Sequence, residues 1–314
     1  MSNARKAITL EAGVLIAAIL LPFALQALGE AFYIGFATRL LIFALAATSL
    51  NFIVGYGGMV AFGHAAFFGG GAYVVAFLMQ SGVSSAWIAW PLAVLAAVVA
   101  ALGIGAISLR TRGVYFIMIT LAFAQMIYYS IISLQSAGGD DGLPLEQRST
   151  LAPFDLTSDL TLYWVALAAL AACLLALKRL ANSRYGRALA GLRQNEQRME
   201  ALGYPVDRLK VVCFVIGAGF AGLAGARRVN QNGLASPTQL YWTQSGKRLV
   251  MVILGGVGQR YGGVLGAIVL LGLEEALGLM TEYAHLTIGL ALLTMVLFAP
   301  RGLAGLVKRR ARWT

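Results

Sequence analysis

The sequence predicts an all-α integral membrane protein of about ten transmembrane or partly re-entrant helices, and three observations carry that prediction. The chain is 59% hydrophobic and 12% charged, whereas a soluble domain averages about 25% charged residues. Its mean hydropathy is +0.78. Apolar runs that approach the roughly 20 residues needed to cross a bilayer recur along nearly all of the 314 residues. The polar segments between them are short, so residues 1–314 read as a single transmembrane domain.

In chain order, the head MSNARK precedes an apolar run longer than a signal-peptide core. No clean small-x-small cleavage site follows it, so it reads as a retained first span. The predicted spans are Leu10–Leu28, Tyr33–Val54, Val60–Met79, Ala86–Leu109, Val114–Leu134, Leu160–Leu177, Leu209–Ala226, Arg248–Val257, Gly262–Leu279 and Ala284–Ala299. The span at Arg248 is short enough for a broken or re-entrant helix.

The net charge of +11 is placed as in a membrane protein, not as in a nucleic-acid binder. The cations lie between apolar runs: Arg5 and Lys6, Arg110 and Arg112, the group from Lys178 to Lys210, and Lys308 to Arg312. Alternating the ten spans puts all four groups on one side, which the positive-inside rule makes the cytoplasm, with both termini inside. Residues 135–159 are acidic and fall on the other side. The alternation closes only if the short span at Arg248 crosses.

Within the polar stretch at 182–208, Ala188–Leu202 consists of good helix formers, with Leu189, Leu192, Met199 and Leu202 spaced for one face. Gly203 is placed to end that helix and Pro205 follows. Two uses are open for a short amphipathic helix here: lying on anionic lipid, or docking a soluble partner.

Glycines gather in two apolar stretches, NFIVGYGGMVAFGHAAFFGGGAY at Asn51–Tyr73 and MVILGGVGQRYGGVLGAIVLL at Met251–Leu271. Gly-interrupted apolar segments in the two halves of a chain point to a transport path, and glycine also lets helices approach closely. The candidate path residues are Asn51, Gly55, Tyr56, Gly57, Gly58, His64, Phe67, Gly255, Gly256 and Gly258. His64 is the one ionisable group in the first stretch besides tyrosines. It either lines or braces the path or is a neutral histidine packed in the core. Cys173 and Cys213 both fall in apolar runs and have no metal or disulfide spacing.

Several motifs together resemble the permease family of branched-chain amino acid ABC importers, the M-type subunit. They are the run matched by Gly55, Tyr56, Gly58, Gly63, His64–Gly69 and Gly71–Tyr73; the loop GGDDGL at 138–143; the helix GRALAGLRQNEQRMEALG at 186–203; SPTQLYWTQSGKRLVMVILGGVG at 236–258; and the terminal FAPRGLAG at 298–305. The resemblance implies a type II importer-like bundle that forms half of a translocation path working by alternating access. Its partners would be a second related permease, two cytoplasmic ATPase subunits and a periplasmic substrate-binding protein, in the inner membrane of a bacterium. The chain has no G-x-x-x-x-G-K-[ST] phosphate loop, so ATP and Mg are expected on the partner ATPase subunits and no cofactor on this chain. The 182–208 loop becomes the coupling segment, with Arg187, Arg193, Asn195, Glu196, Glu200 and Gly203 facing the ATPase.

The chain departs from the family at Arg227 and Arg228 after LAGA, where the family usually has apolar residues, and at Lys247 and Arg248 after SG, where it often has an acidic or neutral residue and then an apolar one. At the external ends of spans these cations either snorkel or form a vestibule that attracts an anion, such as an organic acid. Amides or urea are further substrate classes carried by related permeases. The rival reading is an ion-coupled secondary transporter, for which Glu274 and Glu275 are the close acidic candidates. A membrane enzyme would need clustered His, Asp or Glu; His64 and His285 are far apart in sequence.

Overall fold

The computed structural model describes residues 18–23, 31–151, 154–280, 284–298 and 302–305. Residues 18–23 are helical. The rest of the predicted first span and the terminal cation groups lie outside the described residues.

Helix α1 (Ala31–Asn51) runs into a π-type turn, Phe52–Tyr56, and is followed by α2 (His64–Gln80), α3 (Ala86–Ser108), α4 (Val114–Ser133) and α5 (Asp159–Asn182). Two short helices come next, α6 (Arg184–Gln194) and α7 (Glu196–Ala201), and then α8 (Val206–Asn232), α9 (Trp242–Gly255), α10 (Gly262–Met280) and α11 (Ala284–Phe298). Among the described residues, five segments are both long and apolar enough to cross a membrane: Tyr33–Tyr56, Ala86–Ser108, Val114–Ser133, Asp159–Asn182 and Val206–Asn232. The first of these is 89% buried and Val114–Ser133 is 17% buried. So α1 is the core of the bundle, and α4 turns an apolar surface (Val114, Tyr115, Met118, Met126) outward. Both cysteines are free and buried, as small core hydrophobes.

The bundle has two distinct ends. At one, the strand Leu143–Pro144 pairs antiparallel with Leu234–Ala235 just after α8. The same loop closes over the start of α3, where Thr150 O accepts from Ala86 N at 2.8 Å and Thr150 N donates to Ser84 O at 2.8 Å. Ala86 N is one of the donors that a helix start leaves without an intrahelical partner. At the other end, Arg112 in the α3–α4 turn reaches Glu196 (3.0 Å) and Glu200 (2.8 Å) of α7.

Between Leu234, paired at one end of the bundle, and Gly258, beside Arg193 at the other, the chain runs from end to end of the bundle. The helix of the short span starts six residues earlier than the hydropathy suggests, at Trp242, because the polar Ser245 and the basic Arg248 turn inward and are buried. Fourteen residues rise about 21 Å, less than the roughly 30 Å hydrocarbon core.

The predicted helix at 188–202 is two helices. The first begins earlier, at Arg184, where Ser183 Oγ accepts from Gly186 N. It stops at Asn195, whose Oδ1 accepts from Arg198 N at 2.9 Å and so caps α7; asparagine favours such local caps over a helix interior. Leu189, Leu192 and Met199 are buried, but Leu202 is 64% exposed: it lies past the end of α7 as its C-cap. Gly203 ends α7 with φ +81°.

Small residues bring α2 and α8 into backbone contact. A Cβ on Gly71 would stand 2.7 Å from Gly222 Cα, and one on Gly225 would stand 2.7 Å from the Phe68 carbonyl carbon. Gly69 is filled by Leu240, whereas a Cβ on Gly70 would meet nothing within 4 Å. Gly71→Val should therefore force the two helices apart and destabilise by about 1–3 kcal/mol or more, while Gly70→Ala should be neutral or slightly stabilising. Thermal unfolding of the purified permease in nanodiscs checks this: the midpoint falls for Gly71→Val and holds for Gly70→Ala.

Candidate functional site

The two glycine stretches meet at the end of the bundle that carries α6 and α7. After Asn51 the chain leaves α-helical bonding: Gly57 N donates to Phe52 O and Met59 N to Ile53 O, both at 3.2 Å. After Gly255 the helix also stops. Gly256 N still reaches Val252 O (3.0 Å), then Gln259 N donates to Gly256 O (3.1 Å) and Gly262 N to Gln259 O (3.0 Å) in a tight turn. Apolar surroundings make each unpaired backbone group expensive, so the freed groups need partners.

Asn51 supplies two of them. Its side chain is buried; Oδ1 accepts from Gly258 N at 2.8 Å and Nδ2 donates to Gln259 O at 2.7 Å. The amide thus replaces a missing piece of helix across more than 200 residues of sequence. Arg193, at the end of α6, supplies the third: its Nη1 donates to the Gly55 carbonyl. Gly55 and Gly258 pack backbone to backbone, with a Cβ on Gly55 only 2.5 Å from Gly258 Cα. Gly258 has φ +76°, and a methyl there would stand 2.8 Å from Arg193 Nη1. Both the conformation and the close approach require glycine. Gly302 closes the junction from the C-terminal side, where its Cβ would stand 2.5 Å from Gly256 N. Sequence reasoning left Gly302 out of the site, although the motif FAPRGLAG contained it.

Lys210 at the start of α8 and Arg112 both hold Glu196, at 2.6 and 3.0 Å, and Arg112 also reaches Glu200 at 2.8 Å. The α6–α7 segment is thereby tied to α8, to the α3–α4 turn and, through Arg193, to the junction. Asn195 serves the α7 cap. Arg187 stands apart, donating to Asn182 O at 3.1 Å on the surface. Tyr56 packs on Phe52, with ring centroids 5.7 Å apart.

His64 opens α2 and is fully buried. Its Nε2 lies 2.9 Å from Ser49 Oγ. That hydroxyl spends its single proton on Ala46 O at 2.7 Å, so Nε2 carries the hydrogen and donates to Ser49. Nδ1 is then an acceptor, and it has no partner. Phe67, predicted on the path, points into the core and packs edge-on to Phe214 at 5.4 Å.

The four cations predicted at an outer vestibule separate into two places. Arg227 is buried over the Trp90 ring and donates to the Val165 carbonyl. Arg228, Lys247 and Arg248 converge on two stacked rings, Phe43 and Phe68 (centroids 5.9 Å). Arg227 and Arg248 are 7% and 1% exposed, so neither snorkels. Lys247 pairs with Glu274 at 2.7 Å. Arg39, missed from sequence, lies one turn before Phe43 on α1 with a buried, unpartnered Nε; that spacing was the available signal.

The whole arrangement is that of a polytopic permease. A family model described as "Branched-chain amino acid transport system / permease component" matches residues 32–299, and the chain belongs to that family. It is 30% identical over 291 residues to the high-affinity branched-chain amino acid transport system permease protein LivM of Escherichia coli, covering 85% of this chain and 68% of that one. The Salmonella typhimurium LivM is 29% identical over the same shares. The LivH permease of Escherichia coli is 26% identical over 84% of this chain and 91% of its own length. No solved structure matches the chain.

Asn51→Ala removes both links that hold Gly258 and Gln259 and leaves a buried donor and acceptor unpaired, at about 1–3 kcal/mol each. Asn51→Asp keeps the acceptor for Gly258 N but sets an oxygen against Gln259 O. Both variants should lower the unfolding midpoint in nanodiscs, and Asn51→Asp should not rescue the loss.

Proposed function

We propose that the chain is the permease subunit of an ATP-driven importer and forms half of its translocation path, with α6 and α7 as the segment that docks in a cytoplasmic ATPase. The observation that carries this reading is the bond from Arg193 to the Gly55 carbonyl, which joins the α6–α7 segment to the meeting point of both interrupted helices. A push on α6 reaches two breaks at once. Interrupted helices stitched by side chains are bistable elements of the kind that switch between two packings. ATP closure of the ATPase pair would carry α6 and α7, re-seat the junction and alternate the access of the path.

The density of cations at this end of the bundle supports a cytoplasmic orientation for it: Arg112, Lys178, Arg179, Arg184, Arg187, Arg193, Arg198, Arg208 and Lys210 all flank the α6–α7 segment or face it. ATP and Mg belong on two partner ATPase subunits in this reading. A second permease and a periplasmic binding protein complete the assembly. The outward apolar face of α4 suits lipid or the second permease. The ion-coupled alternative needs a free carboxylate in the bundle; Glu274 is held by Lys247, which leaves Glu275 as its candidate.

Arg193→Gln tests the reading in nanodiscs that hold the chain together with the subunits co-expressed from neighbouring genes. The ATPase subunits should still co-purify, because Glu196 and Glu200 are intact, but substrate-stimulated ATP hydrolysis should fall at least about tenfold. If no ATPase associates with the native chain and solute still moves down an ion gradient, the ion-coupled reading replaces this one.

A further inference from the structure

The cluster on the Phe43–Phe68 rings is out of charge balance. Arg248 is 1% exposed, its guanidinium lies 4.0 Å above the Phe68 ring, and its Nε and Nη1 have no hydrogen-bond partner. Arg228 and Lys247 approach the Phe43 ring at 5.7 and 6.0 Å. Arg39 adds a fourth cation, and its Nε is also unpartnered. Among the described residues, Glu274 is the one carboxylate paired with any of the four, and it is taken by Lys247. Buried cations are found paired with an acid or fully hydrogen-bonded; Arg248 is neither.

Its position gives that deficit a use. Arg248 stands on α9, seven residues before the break at Gly255, and Phe68 stands on α2, four residues after its start at His64. The guanidinium therefore lies between α9 and α2, the helices that end and begin at the two breaks. Ser245 Oγ, one turn earlier on α9, accepts from Ala65 N at 2.8 Å and locks α9 to the start of α2. The positive end of the α2 dipole faces the same region, and helix N-termini favour anions. A guanidinium is the side chain best shaped to take a carboxylate in two parallel hydrogen bonds, and Arg248 has N–H groups on both Nε and Nη1 without partners.

We propose that Arg248 binds the carboxylate of the transported solute, and that this solute is an organic carboxylate with an apolar body and no ammonium group. The inference rests on the importer reading above. A zwitterionic amino acid would bring a fifth cation to a cluster whose single paired acid is already engaged, and the like charges would repel at short range in a weakly screening interior. The apolar body has the Phe43–Phe68 rings and the α2 side chains to lie against.

The test uses the full complex in nanodiscs of zwitterionic phosphatidylcholine, with 3-phenylpropionate, L-phenylalanine and 3-phenylpropanamide as probes that differ only in charged groups. 3-Phenylpropionate should bind at least about tenfold more tightly than the other two. Arg248→Gln should lose that preference at least about tenfold, and Arg248→Lys should regain part of it. Arg248→Met should lose binding yet raise the unfolding midpoint, since it removes an unpaired buried charge. A purely structural arginine would show the reverse, a lower midpoint, and that result overturns the proposal. So does equal or tighter binding of L-phenylalanine, or a thermal response to added anionic phospholipid with none to 3-phenylpropionate, which would make this a lipid site. Co-purified ATPase and its basal hydrolysis are read on the same samples. If they persist while the carboxylate fails to bind, the inference falls and the importer reading stands; if they are missing from the native complex, the importer reading itself has failed.

Discussion

Two lengths of backbone leave α-helical bonding inside an apolar bundle, and everything around them is arranged to meet the polar groups this frees. Lipid offers no substitute partner, so the bonds must come from the protein. Asn51 answers Gly258 and Gln259, and Arg193 answers Gly55. The glycines follow from the same constraint, because Gly55 and Gly258 touch backbone to backbone and leave no room for a Cβ. The junction in turn fixes where α6 must sit, since Arg193 reaches Gly55 only from that end of the bundle. The salt links of Glu196 and Glu200 to Arg112 and Lys210 then hold α7 alongside.

Charge in the rest of the bundle follows a second rule: ionisable groups within apolar helices are costly and mark function. His64 obeys it mildly, as a neutral imidazole donating to Ser49 and keeping one nitrogen unpaired. Arg248 obeys it strongly. The distance between these features is short, because α2 and α9 are the two helices that adjoin the breaks. The cation cluster therefore lies on helices that adjoin the junction.

Much of this was legible in the sequence. Apolar runs located the described helices, with ends off by up to six residues. The paired glycine stretches located the junction, because glycine weakens a helix and gathers in an apolar run where backbone breaks or packs closely. The meeting of Asn51 with Gly258 was not legible in the same way. Nothing in a one-dimensional pattern says which side chain crosses 207 residues to cap a turn. The division at Asn195 was missed because helix-forming residues on both sides outweighed one capping residue. The start of α9 was missed because hydropathy treats Lys247 and Arg248 as surface groups, whereas one is paired with Glu274 and the other lies on an aromatic ring. Phe67 was assigned to the path on position alone, and its neighbour Phe68 turned out to face the cations.

The most direct test of the proposed coupling is hydrogen–deuterium exchange on the full complex in nanodiscs, with and without nucleotide. The segments to follow are 52–63 and 254–262. In the native complex, nucleotide should change exchange in both segments together. In Arg193→Gln, with the ATPase still bound, that joint response should be lost while α6 and α7 still respond. If the two segments respond to nucleotide in the variant as they do in the native protein, Arg193 does not carry the signal and the coupling account is contradicted.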